Sequence, residues 1–515
     1  MLKLLGRGAT LCDDLSRREV LRAGGMSLFG LAMPGLLSRN TVPAAESTDV
    51  PQLGDATQLF VDLRRVEKLD NVKHVFHAAQ KHSANPVLRK QKAWEPLYGT
   101  WGTVLFDADE KIFKAWYGGY GRPTGIDKPG WQKDRHVLCY ATSQDGVVWD
   151  RPELGLHAVA GSTKNNVVVG DEHHEGMAHW ETVLKDSAES DPQRRYKAIS
   201  WSSYDWDGPR SGIYTMTSPD GLRWTHTPEP IFRFHPRPGT KDYGPVGDAQ
   251  SLMIDPLRRR YVAYLRTLPH RAMSESSDFV HWTPPKTCLP AQPGESSNMV
   301  YQHMGFVYGD QYLGLLTYFN RDPKDALCTV RLLSSRDGDQ WERPTDEPFI
   351  GVSDIGEPDR FLNMVTGGPP TRVGDKLYIY YRTLAVRHGP FEGKDDPARQ
   401  YPGGLSLATL RVDGFASLGA SYDGGIVTTK PFRFTRKSLR VNVKSDFGKL
   451  TVEALDEQRT PIAGFTQTDC VPVRVDSIDQ AVSWKEQPDL RLLAGRVIRL
   501  RFHLENARIY SYRIV

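Results

Sequence analysis

Along the chain, short apolar stretches alternate with polar turns and with stretches rich in aromatic residues. Two such stretches around a turn indicate a β-hairpin, because strand side chains alternate between two faces while Gly, Pro, Asn and Asp favour turns. The pattern predicts no long helix after residue 45. It predicts five hairpins, which are Val104–Phe106 with Phe113–Tyr117, Thr182–Lys185 with Tyr196–Ala198, Leu252–Pro256 with Tyr261–Tyr264, Phe306–Tyr308 with Tyr312–Gly314, and Thr371–Val373 with Leu377–Tyr381.

A repeated turn motif marks a second hairpin in each unit. Ser-x-Asp-Gly-x-x-Trp stands at Ser143–Trp149, Ser218–Trp224 and Ser335–Trp341, with degenerate copies at Ser276–Trp282 and Arg411–Phe415. Asp-Gly supplies the positive-φ position of a tight turn, the Ser and Asp side chains bond turn amides, and the Trp packs between strands. The motif is therefore structural and not catalytic.

Two hairpins in each of five units predict five four-stranded blades. The motif Asp residues lie about 58 to 76 residues apart, whereas WD-type repeats span about 40–45. We expect an all-β chain with a five-bladed β-propeller over residues 46–415, in which the strand Gln58–Asp62 pairs with the last blade and hides its edge. Alternating segments at Leu439–Val443 and Arg496–Phe502 predict a C-terminal β-sandwich over residues 416–515.

Length and composition agree with two β domains. The 515 residues exceed the size of about 250–300 at which single cores stop growing. The 46 Gly and 35 Pro suit many tight turns. The net charge of +4 is spread along the chain, so no basic block indicates nucleic acid or a membrane surface as a partner.

The N-terminus predicts export. Ser16–Arg22, which contains Arg17-Arg18, precedes an apolar run over Ala23–Leu37 and small residues at Val42–Ala45. This resembles a twin-arginine signal peptide over residues 1–45, so we expect a periplasmic or secreted protein. The apolar run is shorter than the about 20 residues of a membrane span; uncleaved anchoring is the alternative.

Cysteine and histidine spacing gives no sign of a metal site. Cys139, Cys288, Cys328 and Cys470 show no CxxC spacing, and those within apolar strands are expected to be buried. His173-His174 has no third ligand at a recognisable spacing. We expect no metal and no cofactor.

Four carboxylates stand at the start of a unit's first strand, the position that lines the central funnel of a propeller. They are Glu95, Glu181, Asp248 and Asp359. Glycoside hydrolysis uses two carboxyl groups, so we predict that these four converge on one pocket. Asp248 is the first candidate, because it precedes an apolar strand and has no local charge partner. The alternative for each is a loop hydrogen-bonding role.

Neighbouring residues are candidates for binding substrate. The tryptophans could stack on a sugar or pack between blades, the histidines could bind a hydroxyl or act as hydrogen-bonding spacers, and the arginine could pair with Asp359 or clamp substrate. The candidates are Trp94, Trp180, His179, His303, Arg360 and Gln250.

The five units, the carboxylates and the trailing β domain resemble the five-bladed glycoside hydrolases of the invertase/levansucrase and arabinanase/β-xylosidase groups. The runs Leu59–Asp62, Asn85–Leu88 and Thr428–Pro431, with the Ser-x-Asp-Gly-x-x-Trp turns, look like a planctomycete-type branch of such proteins. The invertase-type Asn-Asp-Pro-Asn-Gly motif is missing, and Trp94–Tyr98 stands in its place. The resemblance therefore assigns no catalytic role to particular residues of this chain.

The turns also resemble sialidase Asp-boxes. A sialidase would have six blades and an arginine triad, for which Arg266, Arg360 and Arg382 are the candidates. The leading hypothesis is a secreted, monomeric glycoside hydrolase acting on a polysaccharide or oligosaccharide by paired carboxylates. A non-catalytic glycan-binding propeller and a structural scaffold are the alternatives.

Overall fold

β-Strands make up nearly all the regular structure, as the sequence predicts; two 3-10 turns, Pro192–Arg194 and Arg491–Leu493, are the helical elements of the described residues. Pro51–Val515 form one compact unit. The predicted signal peptide and His173-His174 lie outside the described residues. The computed structural model describes residues 50–92, 94–95, 98–120, 137–159, 161–169, 179–202, 211–233, 246–247, 249–267, 270–295, 299–320, 326–354, 356–384, 387 and 403–515.

Three antiparallel sheets follow six short N-terminal strands. The N-terminal strands are β1 (Gln52–Leu53), β2 (Gln58–Leu59), β3 (Val66–Asp70), β4 (Lys73–Phe76), β5 (Gln80–Lys81) and β6 (Leu88–Arg89). The sheets are β7 (Tyr98–Asp107), β8 (Ile112–Tyr120), β9 (Val137–Ser143) and β10 (Val167–Val169); β11 (His179–Lys185), β12 (Tyr196–Ser202), β13 (Gly212–Ser218), β14 (Thr225–His226) and β15 (Phe232–Arg233); and β16 (Ser251–Asp255), β17 (Arg260–Arg266), β18 (Arg271–Ser276) and β19 (Lys286–Leu289).

A fourth sheet contains two strand groups joined by one parallel residue pair, Cys328 with Leu362. Strands β5 and β6 complete its second group by pairing with its last strand. The groups are β20 (Val300–Tyr308), β21 (Gln311–Asn320) and β22 (Leu327–Ser335), then β23 (Leu362–Val365), β24 (Thr371–Val373), β25 (Lys376–Leu384) and β26 (Gly404–Arg411).

Two further antiparallel sheets lie at the C-terminal end and share one hydrophobic core. One has the order β32-β30-β34-β27-β4 and the other β3-β28-β33-β31. Their C-terminal strands are β27 (Ala416–Ala420), β28 (Gly425–Thr429), β30 (Leu439–Lys444), β31 (Lys449–Leu455), β32 (Asp476–Ala481), β33 (Arg499–Glu505) and β34 (Ala507–Ile514). The short strand β29 (Arg433–Phe434) pairs in parallel with β1.

The predicted pairing of Gln58–Asp62 with the last blade is wrong. Gln58 and Leu59 pair with Tyr512 and Ser511 of β34, and the buried Phe60 belongs to the core of the two C-terminal sheets. Residues 80–89 instead take the place beside β26. The N-terminal strands thus join both parts of the chain.

The Ser-x-Asp turns form as predicted. In the copy at Ser218–Trp224, Ser218 Oγ donates to Asp220 Oδ1 over 3.1 Å and accepts from Gly221 N over 2.8 Å, and Asp220 Oδ1 accepts from the next two amides. The copies at residues 143, 276 and 335 make the same bonds. Local side-chain bonding therefore fixes each turn without help from the rest of the fold.

Each turn also contacts the strand group before it, and the first turn contacts the last group. Trp149, Trp282 and Trp341 pack against aromatic rings of the preceding group. The turn contacts are Gly146 O with Tyr380 Oη (2.8 Å), Gly221 O with Trp116 Nε1 (2.6 Å), the Phe279 ring with Lys197 Nζ (5.8 Å), Asp339 Oδ1 with Arg258 Nη1 (2.6 Å) and Asp413 Oδ1 with Tyr308 Oη (2.8 Å).

The first strands of the five groups, β7, β11, β16, β20 and β23, are here called the inner strands. Each contacts the next, and β25 of the last group contacts β7, so the contacts run in a cycle. Hydrogen bonds also join each strand group to the next: Val183 N to Thr103 Oγ1 (2.7 Å), Leu252 N to Thr182 Oγ1 (3.1 Å), Ser251 Oγ to His303 O (2.5 Å), Val365 N to Thr317 Oγ1 of β21 (3.0 Å) and Gly367 N, just after β23, to Gly102 O (3.0 Å).

Gly221→Ala is expected to destabilise the fold more than Gly155→Ala. Both glycines have positive φ, +77° and +70°, so alanine is strained at either site by about 1–2 kcal/mol. A Cβ at Gly221 would also stand 2.7 Å from Trp116 Cζ2, whereas nothing lies within 4 Å at Gly155. Urea denaturation should show a further loss of about 1–3 kcal/mol for Gly221→Ala. Equal losses would contradict tight packing of the turn on the preceding group.

Candidate functional site

Three of the five inner strands carry a register irregularity near their N-terminal ends. It lies between Tyr98 and Trp101 in β7, between Trp180 and Thr182 in β11, and between Val300 and Gln302 in β20. Bulges of this kind occur at the rims of sheets next to active sites, where they redirect side chains. The N-terminal ends of the inner strands are therefore the candidate position for a functional site.

Glu181 occupies the irregular position of β11. His179 pairs with Trp201 and Trp180 with Ser200, and pairing resumes at Thr182, so Glu181 is the residue outside the regular pairing. The structure describes the backbone of His179, Trp180 and Glu181 but not their side chains. The predicted carboxylate Glu181 thus stands at a break in the ladder.

Asp248 lies outside the described residues, but both of its neighbours are placed. Gly247 N donates to Arg266 O over 2.7 Å, and Ala249 and Gln250 are buried before β16 begins. Gln250 is fully buried. The bond from Leu252 N to Thr182 Oγ1, 3.1 Å long, joins β16 to β11 directly after Glu181.

Glu95 is buried and committed to the fold. Its side chain is 1% exposed, and Oε1 accepts from Tyr117 Oη and Arg151 Nε, each over 2.5 Å. Oε2 accepts from the amides of Gln91 and Lys92 over 2.6 and 2.9 Å. Four donors leave this carboxylate no capacity to bind a substrate or activate water, so Glu95 is a structural carboxylate rather than a member of the predicted catalytic group.

The same arrangement recurs 200 residues later, which supports this role for Glu95. Glu295 accepts from Arg343 over 2.5 and 3.0 Å and from the amide of Gln292 over 2.7 Å. Burial raises the pKa of Glu295, but Arg343 and the Gln292 amide outweigh it and the net shift is downward. Tyr318 hydrogen-bonds Glu295 as Tyr117 does Glu95. Two groups therefore use one device to hold the segment before their inner strands.

A sequence signal for this device was missed. Trp149-Asp-Arg151-Pro and Trp341-Glu-Arg343-Pro both follow a Ser-x-Asp turn, and each arginine pairs with the glutamate before its group's inner strand. In both copies, an arginine two residues after the motif Trp indicates that the glutamate before the same group's inner strand has a structural role.

Asp359 is also engaged within the fold. Its carboxylate forms an ion pair with Lys81 of β5, and Tyr381 Oη donates to it over 3.5 Å. Burial raises the pKa of Tyr381 and Asp359 raises it further. Asp359 pairs with Lys81 rather than Arg360, and it shares no hydrogen-bonding partner with Glu95 among the described residues. The prediction that these two carboxylates converge on one pocket is therefore not supported by their contacts.

Arg360 and Trp94 lie in separate surroundings. Arg360 is partly buried, with its guanidinium 5.0 Å from the ring centre of Phe361. Trp94 is half-buried on the core of the first sheet, and its Nε1 donates to Asn166 Oδ1 over 2.8 Å. Asn166 in turn bonds Tyr117 Oη over 2.9 Å, so Trp94 takes part in the network around Glu95, as the packing alternative predicts.

His303 is a core residue. It is 1% exposed, its ring lies 4.1 Å from that of Tyr264 and 4.5 Å from that of Trp341, and Nδ1 is 3.9 Å from Cys288 Sγ. Burial lowers its pKa to about 3, with Arg271 adding to the effect. A neutral, enclosed imidazole is not placed to bind a substrate hydroxyl, so the predicted binding role is not supported here.

Replacing His303 should weaken the acid sensitivity of the fold. The folded-state pKa of about 3 is below the unfolded value of about 6.5, so stability falls as the pH drops below 6.5 and the unfolded chain takes up a proton. At pH 5 this costs about 2 kcal/mol. Urea denaturation at pH 7.5 and 5.0 should show a smaller difference between the two pH values for His303→Leu than for the wild type; an identical difference would contradict a buried neutral histidine.

The described cysteines and acidic residues give no metal site. Cys139, Cys288, Cys328 and Cys470 are buried free thiols, as predicted for the strand positions. Within the part of the chain that the structure describes, no cluster of three or more His, Cys, Asp or Glu side chains is arranged to hold a metal ion. In the same part, no helix is long and apolar enough to cross a membrane.

Comparisons place the chain among loosely similar folds. No family model and no curated protein matches it. A glycosyl hydrolase from Bacteroides ovatus overlaps 65% of this chain and 94% of its own with a TM-score of 0.45 and 15% identity. A second structure overlaps 65% of this chain and 94% of its own, with a TM-score of 0.42 and 14% identity. Its description reads that the GH130 family of mannoside phosphorylases contains glycoside hydrolases that target β-1,2 mannosidic linkages in Candida mannan.

An N-acetylgalactosamine deacetylase from F. plautii, in complex with blood group B trisaccharide, overlaps 66% of this chain and 96% of its own, with a TM-score of 0.41 and 14% identity. Overlaps this loose do not decide a function.

Proposed function

We propose that residues 80–411 form a five-bladed β-propeller, that the two C-terminal sheets form a β-sandwich with strands β2 to β4, and that the protein hydrolyses glycosidic bonds. The cyclic contacts of the inner strands support the propeller, because each group touches the one before it and the last touches the first. The turn contacts follow the same cyclic order. Radial repetition of this kind leaves only short, protected sheet edges.

The proposed catalytic pair is Glu181 and Asp248. The observation that carries it is the hydrogen bond between Leu252 N and Thr182 Oγ1, because it joins the two inner strands one residue after Glu181 and four residues after Asp248. The break in pairing at Glu181 adds to this. One carboxyl group would act as general acid and the other as nucleophile or base on the glycosidic bond.

A non-catalytic glycan-binding propeller is the second candidate. It is favoured by the commitment of Glu95 and Asp359 to ion pairs, which removes two of the four predicted carboxylates from the chemistry. If the propeller only binds glycans, neither Glu181 nor Asp248 is needed for cleavage.

Incubation of the mature protein with a dye-labelled panel of neutral and acidic polysaccharides separates the two. Release of soluble dye-labelled fragments from one glycan class supports the hydrolase. Binding to a glycan without any release would establish the binding module instead.

Export through the twin-arginine route, with cleavage near Glu46 and a monomeric mature chain, is part of the same proposal. It is supported by Ser16–Arg22 and by the apolar run that follows. An exported protein whose mass includes residues 1–45 would contradict it.

A further inference from the structure

Hairpin turns from both C-terminal sheets meet at one end and are held together by hydrogen bonds. Asn506 N donates to Ser421 O over 2.8 Å, and Asn506 Nδ2 donates to Phe447 O over 2.9 Å. Tyr422 Oη donates to the same Phe447 carbonyl over 3.3 Å. These bonds link the turns that follow β27, β30 and β33 into one rigid rim.

The rim displays two aromatic rings to solvent. Phe447 is 75% exposed and Tyr422 is 69% exposed, the highest exposures of large aromatic side chains in the described residues. Exposing such rings on a bonded rim costs the fold the free energy that their burial would bring. Exposed aromatic platforms of this kind indicate a binding surface.

One cavity adjoins this rim, and a second shares one lining residue with it. The first, of about 570 Å³, is lined by Phe447 of the rim and by Lys73 and Arg508. The second, of about 360 Å³, lies between the C-terminal sheet and β26 and is lined by Lys376 and again by Arg508. Arg508 lines both cavities, and the two neighbouring cavities are together called the Arg508 cleft.

The Arg508 cleft carries positive charge. Two of the lining cations are neutralised by ion pairs, Lys444 with Asp446 over 3.2 Å and Arg411 with Asp476 over 2.6 Å. Among the described residues, Lys73, Lys376 and Arg508 form no ion pair with an acidic side chain, while Asp375 is the remaining carboxylate in the lining. Three cations against one carboxylate favour an anionic ligand.

We propose that the Arg508 cleft binds an anionic polysaccharide, separately from the catalytic pair. The rings of Phe447 and Tyr422 present faces for sugar rings, and the guanidinium of Arg508 matches the geometry of a carboxylate or sulfate. A cleft that runs across two cavities fits a chain rather than a single sugar. The choice of a glycan as ligand rests on the proposed function, whereas its charge rests on the cleft alone.

Affinity electrophoresis of the mature protein tests this, with gels containing polygalacturonate, carrageenan or neutral galactan. Retardation is expected in the polygalacturonate gel if carboxylates are bound and in the carrageenan gel if sulfates are bound, but not in the galactan gel. Arg508→Gln should lower the affinity about tenfold or more, because it removes a charge-assisted contact. Phe447→Ala should also lower it, since the ring platform is lost.

Matched controls make the result decisive. Arg496→Gln removes an exposed arginine, and Leu257→Ala removes an apolar side chain that is 61% exposed. Both residues lie outside the lining of the cleft. Neither substitution should change the retardation of the protein. Equal retardation of Arg508→Gln and the wild type, or retardation by galactan alone, would overturn the proposal. Loss of polysaccharide binding with intact hydrolysis of short oligosaccharides would contradict the cleft proposal but support the proposed hydrolase. Retained binding without any hydrolysis would support the cleft proposal but contradict the proposed hydrolase.

Discussion

Asp248→Asn is expected to lower the turnover of the cleaved glycan by about 10²–10⁴-fold, the usual contribution of a general acid or base. Glu181→Gln should have an effect of the same size, since both carboxyl groups are required for hydrolysis. The amides keep the shape of the side chains but cannot transfer a proton, so glycan binding and the unfolding curve should be unchanged. Initial rates at saturating substrate measure the effect.

Asp109→Asn is the matched control for this pair. The Asp109 carboxylate is 75% exposed and pairs with Lys185. Asp109 follows the C-terminal end of β7 and Lys185 ends β11, whereas Glu181 lies near the N-terminal end of β11. The turnover of Asp109→Asn should therefore equal that of the wild type. Undiminished hydrolysis by both Asp248→Asn and Glu181→Gln would remove these residues from the mechanism.

Asp107→Ala is expected to cost about 3–5 kcal/mol of unfolding free energy, because it removes the buried carboxylate shared by two largely buried lysines, which keep only exposed acidic partners. The Asp107 side chain is fully buried, and it accepts from Lys114 over 2.8 Å, from Lys185 over 2.6 Å and from Tyr196 over 3.0 Å. Burial opposes ionisation of Asp107, but the lysines outweigh it and hold its pKa below the ordinary value. Urea denaturation at pH 7 measures the loss.

Asp109→Ala provides the contrast, because an exposed pair contributes about 0–1 kcal/mol. A loss for Asp107→Ala as small as that for Asp109→Ala would show that the ion pairs between the first and second sheets do not hold them together. The equivalent carboxylates Asp186 and Asp255 bond Tyr261 and Tyr312 of the following group, so the same effect is expected there.

The parts of the fold that local chemistry determines could be predicted from the sequence. The Ser-x-Asp turns form where the pattern places them, because their bonds join residues two or three positions apart. The five first hairpins also form there, because each pairs two apolar stretches that are close together in the sequence. Buried Cys139 and Cys328 follow from the apolar runs around them.

Contacts between distant residues could not be predicted in this way. Gln58–Leu59 is a two-residue strand, and nothing in so short a segment distinguishes β26 from β34 as its partner. In the sequence Glu95 resembles a catalytic carboxylate, because its partner Arg151 stands 56 residues away. Polar residues before a strand have the same appearance in the sequence whether they meet a substrate or an arginine of the fold.

The separation of the Glu181 and Asp248 carboxyl groups in a crystal structure of residues 46–515 is the most direct test of the proposed function. A pair that cooperates in glycoside hydrolysis should stand about 5–5.5 Å apart for retention or about 6.5–9.5 Å apart for inversion. Either value would support the catalytic pair and would also assign the stereochemistry. A separation well beyond about 9.5 Å would contradict it.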